Sequence, residues 1–156
     1  MKIIFLVVGK TTERWVQQGL EEYSGRLKHY ADFSVEVIPD VKAGKRSSED
    51  LLRLEGEAIL AKTELSDWLV LLDEGGKSYT SRQFATQLQK WLNASPKRLV
   101  FLVGGAFGFS AEVKKRANAV LSLSGLTFTH QMVRPIFTEQ LYRAFTILRG
   151  EKYHND

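Results

Sequence analysis

Short apolar runs recur along the chain, and between them lie longer stretches in which apolar residues return every three or four positions. The first pattern is typical of strands that are buried on both faces, and the second of amphipathic helices. Their alternation predicts an α/β fold, with a mostly parallel sheet flanked by helices, in a single domain over residues 1–156. The predicted strands are residues 3–8, 33–38, 68–72, 99–103 and 120–123.

Three helices have clear beginnings or ends. Thr80 and Gln83 match a capping box, Ser110 is a predicted N-cap of a short helix, and Pro135 is expected in the first turn of the last helix, which Gly150 ends. Each long helix has one predicted buried face. The faces consist of Trp15, Val16, Gly19, Leu20, Tyr23 and Leu27, then Phe84, Ala85, Leu88, Trp91 and Leu92, and last Ile136, Phe137, Leu141, Ala144, Phe145 and Leu148.

Three loops that follow predicted strands, residues 73–77, 104–109 and 124–134, are rich in glycine or polar side chains. Ligands of parallel sheets bind at the carboxyl ends of the strands, so these loops are the predicted site. Gly104, Gly105 and Gly108 can adopt positive φ and let another group pack against bare main chain. That group is a phosphate, another part of a cofactor, or the neighbouring helix.

Two nucleotide-binding motifs are incomplete. The segment "VVGKTT" at residues 7–12 ends like a Walker A loop, but Ile4 occupies the position of the required glycine. Thr11 or Thr12 is instead interpreted as a helix cap. The segment "GGAFG" lacks the later glycines of a dinucleotide fingerprint, which moreover normally follows the first strand. Neither nucleoside triphosphate hydrolysis nor dinucleotide binding is therefore expected.

Composition narrows the remaining classes. The chain has no cysteine and three histidines, which excludes disulfides and thiolate metal sites and argues against a zinc site at His130. The opening apolar run is too short to span a membrane and has no small-residue cleavage site, so we expect a cytoplasmic protein without membrane contact or metal.

Positive charge is concentrated near the C-terminus. Residues 1–96 contain 13 Lys and Arg against 14 Asp and Glu, whereas residues 97–156 contain 9 against 4. Such a basic region is typical of proteins that bind polyanions, nucleic acid among them, although a solubilising surface has the same composition. The residues expected to contact phosphate are Arg134, Arg143, Arg149, Lys152, Lys114, Lys115 and Arg116.

Seven segments in this order resemble the RlmH family, methyltransferases of the knotted SPOUT class that modify N3 of a pseudouridine in 23S ribosomal RNA. They are "MKIIFLVVGK" at residues 1–10, "EEY" at 21–23, "EG" at 55–56, "LLDEGGK" at 71–77, "FLVGGAFGFS" at 101–110, "LSLSGLTFTHQMVR" at 121–134 and "EQLYRAFTILRGEKYH" at 139–154. The resemblance covers essentially the full length of the chain.

The resemblance implies a C-terminal deep trefoil knot, S-adenosylmethionine as methyl donor, a homodimer, and 23S ribosomal RNA within the ribosome as substrate. One subunit's tail would complete the other subunit's pocket. The cofactor contacts that it implies are Leu72, Gly104, Leu123, Ser124, Gly125, Leu126, Thr127 and Phe128.

Arg143, Tyr153 and His154 are the predicted catalytic residues. Methyl transfer from a sulfonium is a direct displacement, for which the enzyme aligns the reactants and assists loss of a proton from the imide nitrogen. His154 is a candidate base, or positions the RNA. Arg143 is a candidate partner of the developing oxyanion, and Tyr153 a candidate to stack on the base or to hydrogen-bond it.

Two other functions stay open. A knotted methyltransferase that acts on transfer RNA would bind the same cofactor but ignore ribosomes. A non-catalytic RNA-binding module would associate with ribosomes without affinity for the cofactor, although RNA binding does not require three uncharged, glycine-containing loops at neighbouring strand ends.

Overall fold

The computed structural model describes residues 1–156, in which five strands alternate with five helices. The strands are β1 (Lys2–Val8), β2 (Asp32–Ile38), β3 (Trp68–Ser78), β4 (Arg98–Val103) and β5 (Ala119–Ser122). The helices are α1 (Arg14–Leu27), α2 (Ser48–Ala61), α3 (Ser81–Asn93), α4 (Ala111–Arg116) and α5 (Val133–Leu148). All five predicted strands are confirmed, with β3 longer than predicted.

The strands form one sheet in the order β2-β1-β4-β3-β5, and every neighbouring pair is parallel. Parallel neighbours require crossover connections, which the intervening helices supply. The predicted α/β fold with a parallel sheet flanked by helices is confirmed. As a consequence, the loops that follow β3, β4 and β5 leave the sheet at the same edge.

Helices cover both faces of this sheet. Alternate residues of β1 belong to different apolar clusters, Ile3 and Phe5 to the larger one, Ile4 and Leu6 to the smaller one. The larger cluster includes residues of α1, α3 and α5, and the smaller one residues of α2 and α4. Because neither face of a central strand meets water, its sequence is a continuous apolar run instead of an alternating one.

The predicted helix ends are confirmed. Thr80 and Gln83 form a complete capping box, and the Ser110 hydroxyl accepts a hydrogen bond from the Val113 amide at 3.3 Å. Pro135 lies in the first turn of α5, and Gly150 follows that helix with a φ of +67°. These local signals depend on neighbouring residues alone and therefore survive in the folded chain.

Two predictions about α1 are wrong. Trp15 was predicted on its buried face, but the side chain is 57% exposed. Gly19 lies beside Pro135 at the start of α5, so Trp15, one turn earlier, extends beyond the end of that helix. Nor do Thr11 and Thr12 cap α1, because the N-cap residue is Glu13 and no side chain caps this end.

No helix of the chain combines the length and the hydropathy that a membrane crossing requires. Nor does any group of three or more His, Asp or Glu side chains have an arrangement that could hold a metal ion.

Candidate functional site

A cavity of about 430 Å³ opens at the edge of the sheet where β4 and β5 end, beside the middle of β3. Its size is in the range of sites for small ligands and cofactors. Residues of all three predicted segments line it, as expected for the carboxyl edge of a parallel sheet. The prediction of a loop at residues 73–77 is wrong, however, because β3 continues through them to Ser78. Seven of the eight predicted cofactor residues line the cavity, namely Leu72, Gly104, Leu123, Ser124, Leu126, Thr127 and Phe128, whereas Gly125 does not.

Ser124 and residues 126–128 form one wall of the cavity. The Ser124 hydroxyl accepts a hydrogen bond from the Leu126 amide at 2.9 Å, which holds the loop in a tight turn. The amides of Gly125, Thr127 and Phe128 donate no hydrogen bond within the chain. Free main-chain donors beside an apolar wall are suited to the polar edge of a heteroaromatic ring.

The opposite wall includes an irregular part of β3. Its register against β5 shifts between Leu72 and Lys77, so the segment 73–76 bulges at the mouth of the cavity. A Cβ at Gly76 would lie 2.7 Å from the Val120 carbonyl, which explains the glycine there. The carboxylate of Glu74, in the bulge, accepts a hydrogen bond from the Thr127 hydroxyl and joins the two walls.

The glycine turn after β4 uses the freedom of its glycines in two ways. Of the three glycines that can adopt positive φ, only Gly108 does so, with a φ of +80°. Gly104 is needed because a Cβ would lie 2.8 Å from the Gly108 carbonyl oxygen and 3.0 Å from a ring carbon of Phe109. The glycines therefore serve first to let the turn fold onto itself, and the resulting turn forms part of the cavity wall.

Glu55 of α2 holds this turn from behind. Its carboxylate accepts a hydrogen bond from the Gly105 amide at 3.0 Å. Burial raises the pKa of Glu55, against the opposing effects of that hydrogen bond and of nearby His130. No pattern in the sequence predicted a role for Glu55, because a lone "EG" on a helix carries no chemical signature of its own.

Arg134 was predicted to contact RNA phosphate, and this prediction is wrong. The side chain is fully buried and donates hydrogen bonds to the carbonyls of Val8, Gly9 and His130 and to the Thr11 hydroxyl. Burial lowers the pKa of its guanidinium. The Arg134 side chain thus belongs to the interior of the protein.

Glu139, Arg143, Tyr153 and His154 form a separate cluster of polar side chains where the C-terminal tail folds back onto α5, and we call it the tail cluster. Glu139 accepts from Arg143 at 2.5 Å and from the Tyr153 hydroxyl at 2.9 Å. The Arg143 guanidinium also lies 3.1 Å from Nδ1 of His154 and 4.8 Å from the centre of the Tyr153 ring. The structure therefore brings together the three predicted catalytic residues, with Glu139 as a shared partner that the sequence indicated only as an ion pair of Arg143.

The partners of His154 determine where its proton lies. A guanidinium only donates hydrogen bonds, so Nδ1 of His154 accepts from Arg143. Nε2 then carries the proton and donates to Asp156 at 3.0 Å. Both ring nitrogens are thereby engaged. Asp156 is itself bound to Arg82 of α3 at 2.7 Å, which holds the end of the tail on the fold.

Tyr153 acts as a hydrogen-bond donor in this cluster. Burial raises the pKa of its hydroxyl, and the hydrogen bond to Glu139 raises it further. The phenol therefore keeps its proton at neutral pH.

The cavity and the tail cluster are separate within one chain, because none of Arg143, Tyr153 and His154 lines the cavity. Beside the cavity, three large apolar side chains are exposed instead, Phe107 at 60%, Leu126 at 76% and Phe128 at 36%.

Several side chains that were predicted to contact RNA phosphate are accessible to solvent. Lys114, Lys115, Arg149 and Lys152 are exposed. Arg116, by contrast, uses its guanidinium to bind the carbonyl of Glu64 at 2.7 Å. The accessible basic surface is thus smaller than the sequence predicted.

Comparisons with known proteins agree with this geometry. The sequence model of a family described as "Predicted SPOUT methyltransferase" matches residues 1–154. A protein of Parabacteroides distasonis named "Ribosomal RNA large subunit methyltransferase H" is 52% identical, with 100% of both chains covered. A protein of the same name from Christiangramia forsetii is 49% identical, with 99% of both chains covered.

One solved structure, titled "The structure of a probable methylase family protein from Haemophilus influenzae Rd KW20", has a TM-score of 0.52 at 11% identity. The match covers 99% of this chain and 70% of that one, and it shows a shared fold. The full-length matches in sequence go further, and the chain belongs to the SPOUT methyltransferase family.

Proposed function

We propose that this chain transfers a methyl group from S-adenosylmethionine to N3 of a pseudouridine in 23S ribosomal RNA. Relatives about half identical over their full length carry the name of a large-subunit ribosomal RNA methyltransferase. The observation that carries the proposal is the cavity at the carboxyl edge of the sheet, with the free main-chain amides of its lining residues Thr127 and Phe128.

The cavity fits S-adenosylmethionine by the chemistry of its wall. The free amides of Thr127 and Phe128 match the acceptor nitrogens of an adenine edge. The carboxylates of Asp73 and Glu74 lie in the wall, where they would favour a cationic amino group. When bound, the donor supplies an electrophilic methyl group on a sulfonium. Leu72, Leu121 and Val133 provide apolar surface that limits access of water.

The tail cluster supplies the charged chemistry. Arg143 is proposed to hold the carbonyl oxygen beside the reacting nitrogen, where negative charge develops as the proton leaves. When Arg143 turns to the RNA base, Nδ1 of His154 loses its donor and its lone pair becomes free to accept that proton. Tyr153 donates a hydrogen bond or stacks on the base.

A second copy of the chain is proposed to bring the cavity and the tail cluster together. In a homodimer, the tail of one subunit would face the cavity of the other, and the exposed Phe107, Leu126 and Phe128 beside the cavity would be covered. A deep trefoil knot, in which α5 passes through a loop of the same chain, is part of this proposal. It would hold the 124–134 loop in one shape between β5 and α5.

Electrostatic attraction is proposed to bring in the RNA. Lys114, Lys115, Arg149 and Lys152 are the exposed cations of the basic C-terminal region. Since contacts with phosphate release counterions, binding to RNA should weaken steeply as salt is raised.

The test is transfer of labelled methyl from S-adenosylmethionine to ribosomes that lack this methylation. Matched ribosomes with uridine at the target position are the control. We expect transfer only to the pseudouridine ribosomes. No transfer, with the cofactor still bound, would indicate a transfer RNA methyltransferase, whereas ribosome binding without any cofactor affinity would indicate a non-catalytic RNA-binding module.

A further inference from the structure

The buried guanidinium of Arg134 has no carboxylate partner. It donates instead to the Val8 carbonyl at 2.8 Å, the Gly9 carbonyl at 2.8 Å and the Thr11 hydroxyl at 2.9 Å. Its Nε donates to the His130 carbonyl at 2.9 Å. One side chain of α5 thus connects the end of β1 with the loop that leads into α5.

Gln131 makes the same connection beside it. Its side-chain amide donates to the Lys10 carbonyl and its oxygen accepts from the Thr12 amide, both at 3.0 Å. Taken together, every residue of the segment 8–12 is hydrogen-bonded to Arg134 or Gln131. We call this set of hydrogen bonds the β1 clasp.

A charge buried in this way is costly for the folded state. The desolvation free energy of a guanidinium is offset only when all of its donors find partners. An apolar side chain of similar volume often stabilises a core more. The site is therefore poorly explained by stability alone. What the fork of donors provides is geometry, because it fixes several acceptors in one plane.

The position of the clasp indicates what this geometry controls. His130 and Val133 line the cavity, and Gln131 and Arg134 alternate with them along the chain. No residue of the segment 8–12 lines the cavity. The clasp therefore fixes the wall at residues 127–133 from behind, through a segment that does not touch a ligand.

We propose that Arg134 and Gln131 are positioning residues of the cofactor cavity, and that the segment 8–12 sets the affinity for the methyl donor through them. The inference rests on the proposed function for the identity of that donor. Loosening the clasp lets the cavity wall sample shapes that do not bind, which lowers the apparent affinity by the fraction of molecules that remain competent.

The experiment compares two pairs of variants. Arg134→Lys keeps the charge but loses the fork, and Arg98→Lys does the same at the Asp67 ion pair, which is remote from the cavity. Thr11→Val removes one acceptor of Arg134, and Thr63→Val removes a hydroxyl that bonds the Leu60 carbonyl at the end of α2. Binding of S-adenosylmethionine is measured by calorimetry, and unfolding by urea.

We expect Arg134→Lys to raise the dissociation constant of S-adenosylmethionine about tenfold and Thr11→Val about threefold, with the two controls within about twofold of the parent protein. In turnover, the KM for S-adenosylmethionine should rise while kcat at saturation stays within about twofold, since the clasp does not touch the reacting atoms. The amides of residues 132–134 donate hydrogen bonds to Thr129 and Gln131, and their hydrogen exchange in the cofactor-free protein should be faster only in the clasp variants.

Equal affinity of the clasp and control variants, with equal exchange, would overturn the inference. If Arg134→Lys fails to fold, Thr11→Val decides alone. If the parent protein does not bind S-adenosylmethionine, the proposed function fails, and hydrogen exchange of the bonded amides 132–134 still decides whether the clasp holds the wall.

Discussion

The cavity and the tail cluster use different parts of the polypeptide. The cavity is formed by the middle of β3 and the loops that follow β4 and β5, and it has free main-chain amides at Thr127 and Phe128. The tail cluster consists of side chains, in which Glu139, Arg143, Tyr153 and His154 bond to one another. One region is defined by the shape of the backbone, and the other by the charge and protonation of its side chains.

This difference separates binding from chemistry. Changes in backbone shape at the cavity should alter affinity for the methyl donor. A substitution cannot remove a main-chain amide, but it can shift that amide away from the ligand. Removal of a side chain from the tail cluster should alter turnover while the donor still binds. Each of the following variants tests one side of this division.

The largest effect is expected for Arg143→Ala. If the guanidinium stabilises the oxyanion that forms as the proton leaves, its loss should lower kcat by about 10³-fold and leave the dissociation constant of S-adenosylmethionine unchanged. Arg143→Lys, which retains a charge but not two parallel donors, should recover part of the activity. Methyl transfer to ribosomes and calorimetry measure the two quantities. An equal loss of donor affinity would show that the two regions are not separable.

A smaller loss is expected for His154→Gly. Loss of a general base typically lowers the rate by about 10²-fold. Imidazole added to the buffer should restore part of the methyl transfer in His154→Gly, because it can occupy the vacated space and accept the proton. No response to imidazole, with the rate reduced, would indicate that His154 only positions the RNA.

Gly104→Ala tests the other side of the division. A Cβ there meets the Gly108 carbonyl oxygen at 2.8 Å, so the turn must shift and the cavity wall with it. We expect about tenfold weaker binding of S-adenosylmethionine, and a loss of about 1–3 kcal/mol in the free energy of unfolding. The control is Gly25→Ala on α1, where a Cβ meets nothing within 4 Å and helix propensity should increase stability. Unchanged affinity in Gly104→Ala would contradict control of the cavity by backbone shape.

Much of the fold followed from the sequence because its signals are local. A continuous apolar run predicts a strand buried on both faces, and the capping box at Thr80 predicts the start of α3. The ends of β1, β2, β4 and β5 were correct to within one residue of the observed ones. The failure at Trp15 has a physical cause, since periodicity identifies a helix face but not where the opposing helix ends.

Sequence patterns predicted less of the site than of the fold. Arg134 carries a charge and sits in a basic region, so composition placed it at the surface, whereas carbonyls at the end of β1 hold it in the interior. Hydrogen bonds between residues more than a hundred positions apart leave no pattern along the chain. The cofactor loops, by contrast, were located by the rule for parallel sheets, and their individual residues came from resemblance to a family.

Glu55→Gln is expected to have the smallest effect, a change in how stability depends on pH. This variant tests whether a charge behind the wall of the cavity matters. Glutamine can still accept the hydrogen bond of the Gly105 amide, which the carboxylate accepts at 3.0 Å, but it carries no charge. Because burial raises the pKa of Glu55 in the folded state, the folded chain retains a proton that the unfolded chain has already lost. Stability of the parent protein should therefore fall as the pH rises from about 4.3, the ordinary value of glutamate, through the raised value.

Glu55→Gln should lack that part of the pH dependence. Urea unfolding should show the variant slightly more stable than the parent at pH 8, with the difference fading towards pH 4, where the parent carboxyl is protonated as well. Glu57→Gln, exposed on the same helix, is the control and should not show this trend. If Glu55→Gln is instead less stable at pH 8, the negative charge itself holds the Gly105 amide. The cavity would then depend on charge as the tail cluster does, and the division between the two regions would not extend to the residues behind the wall.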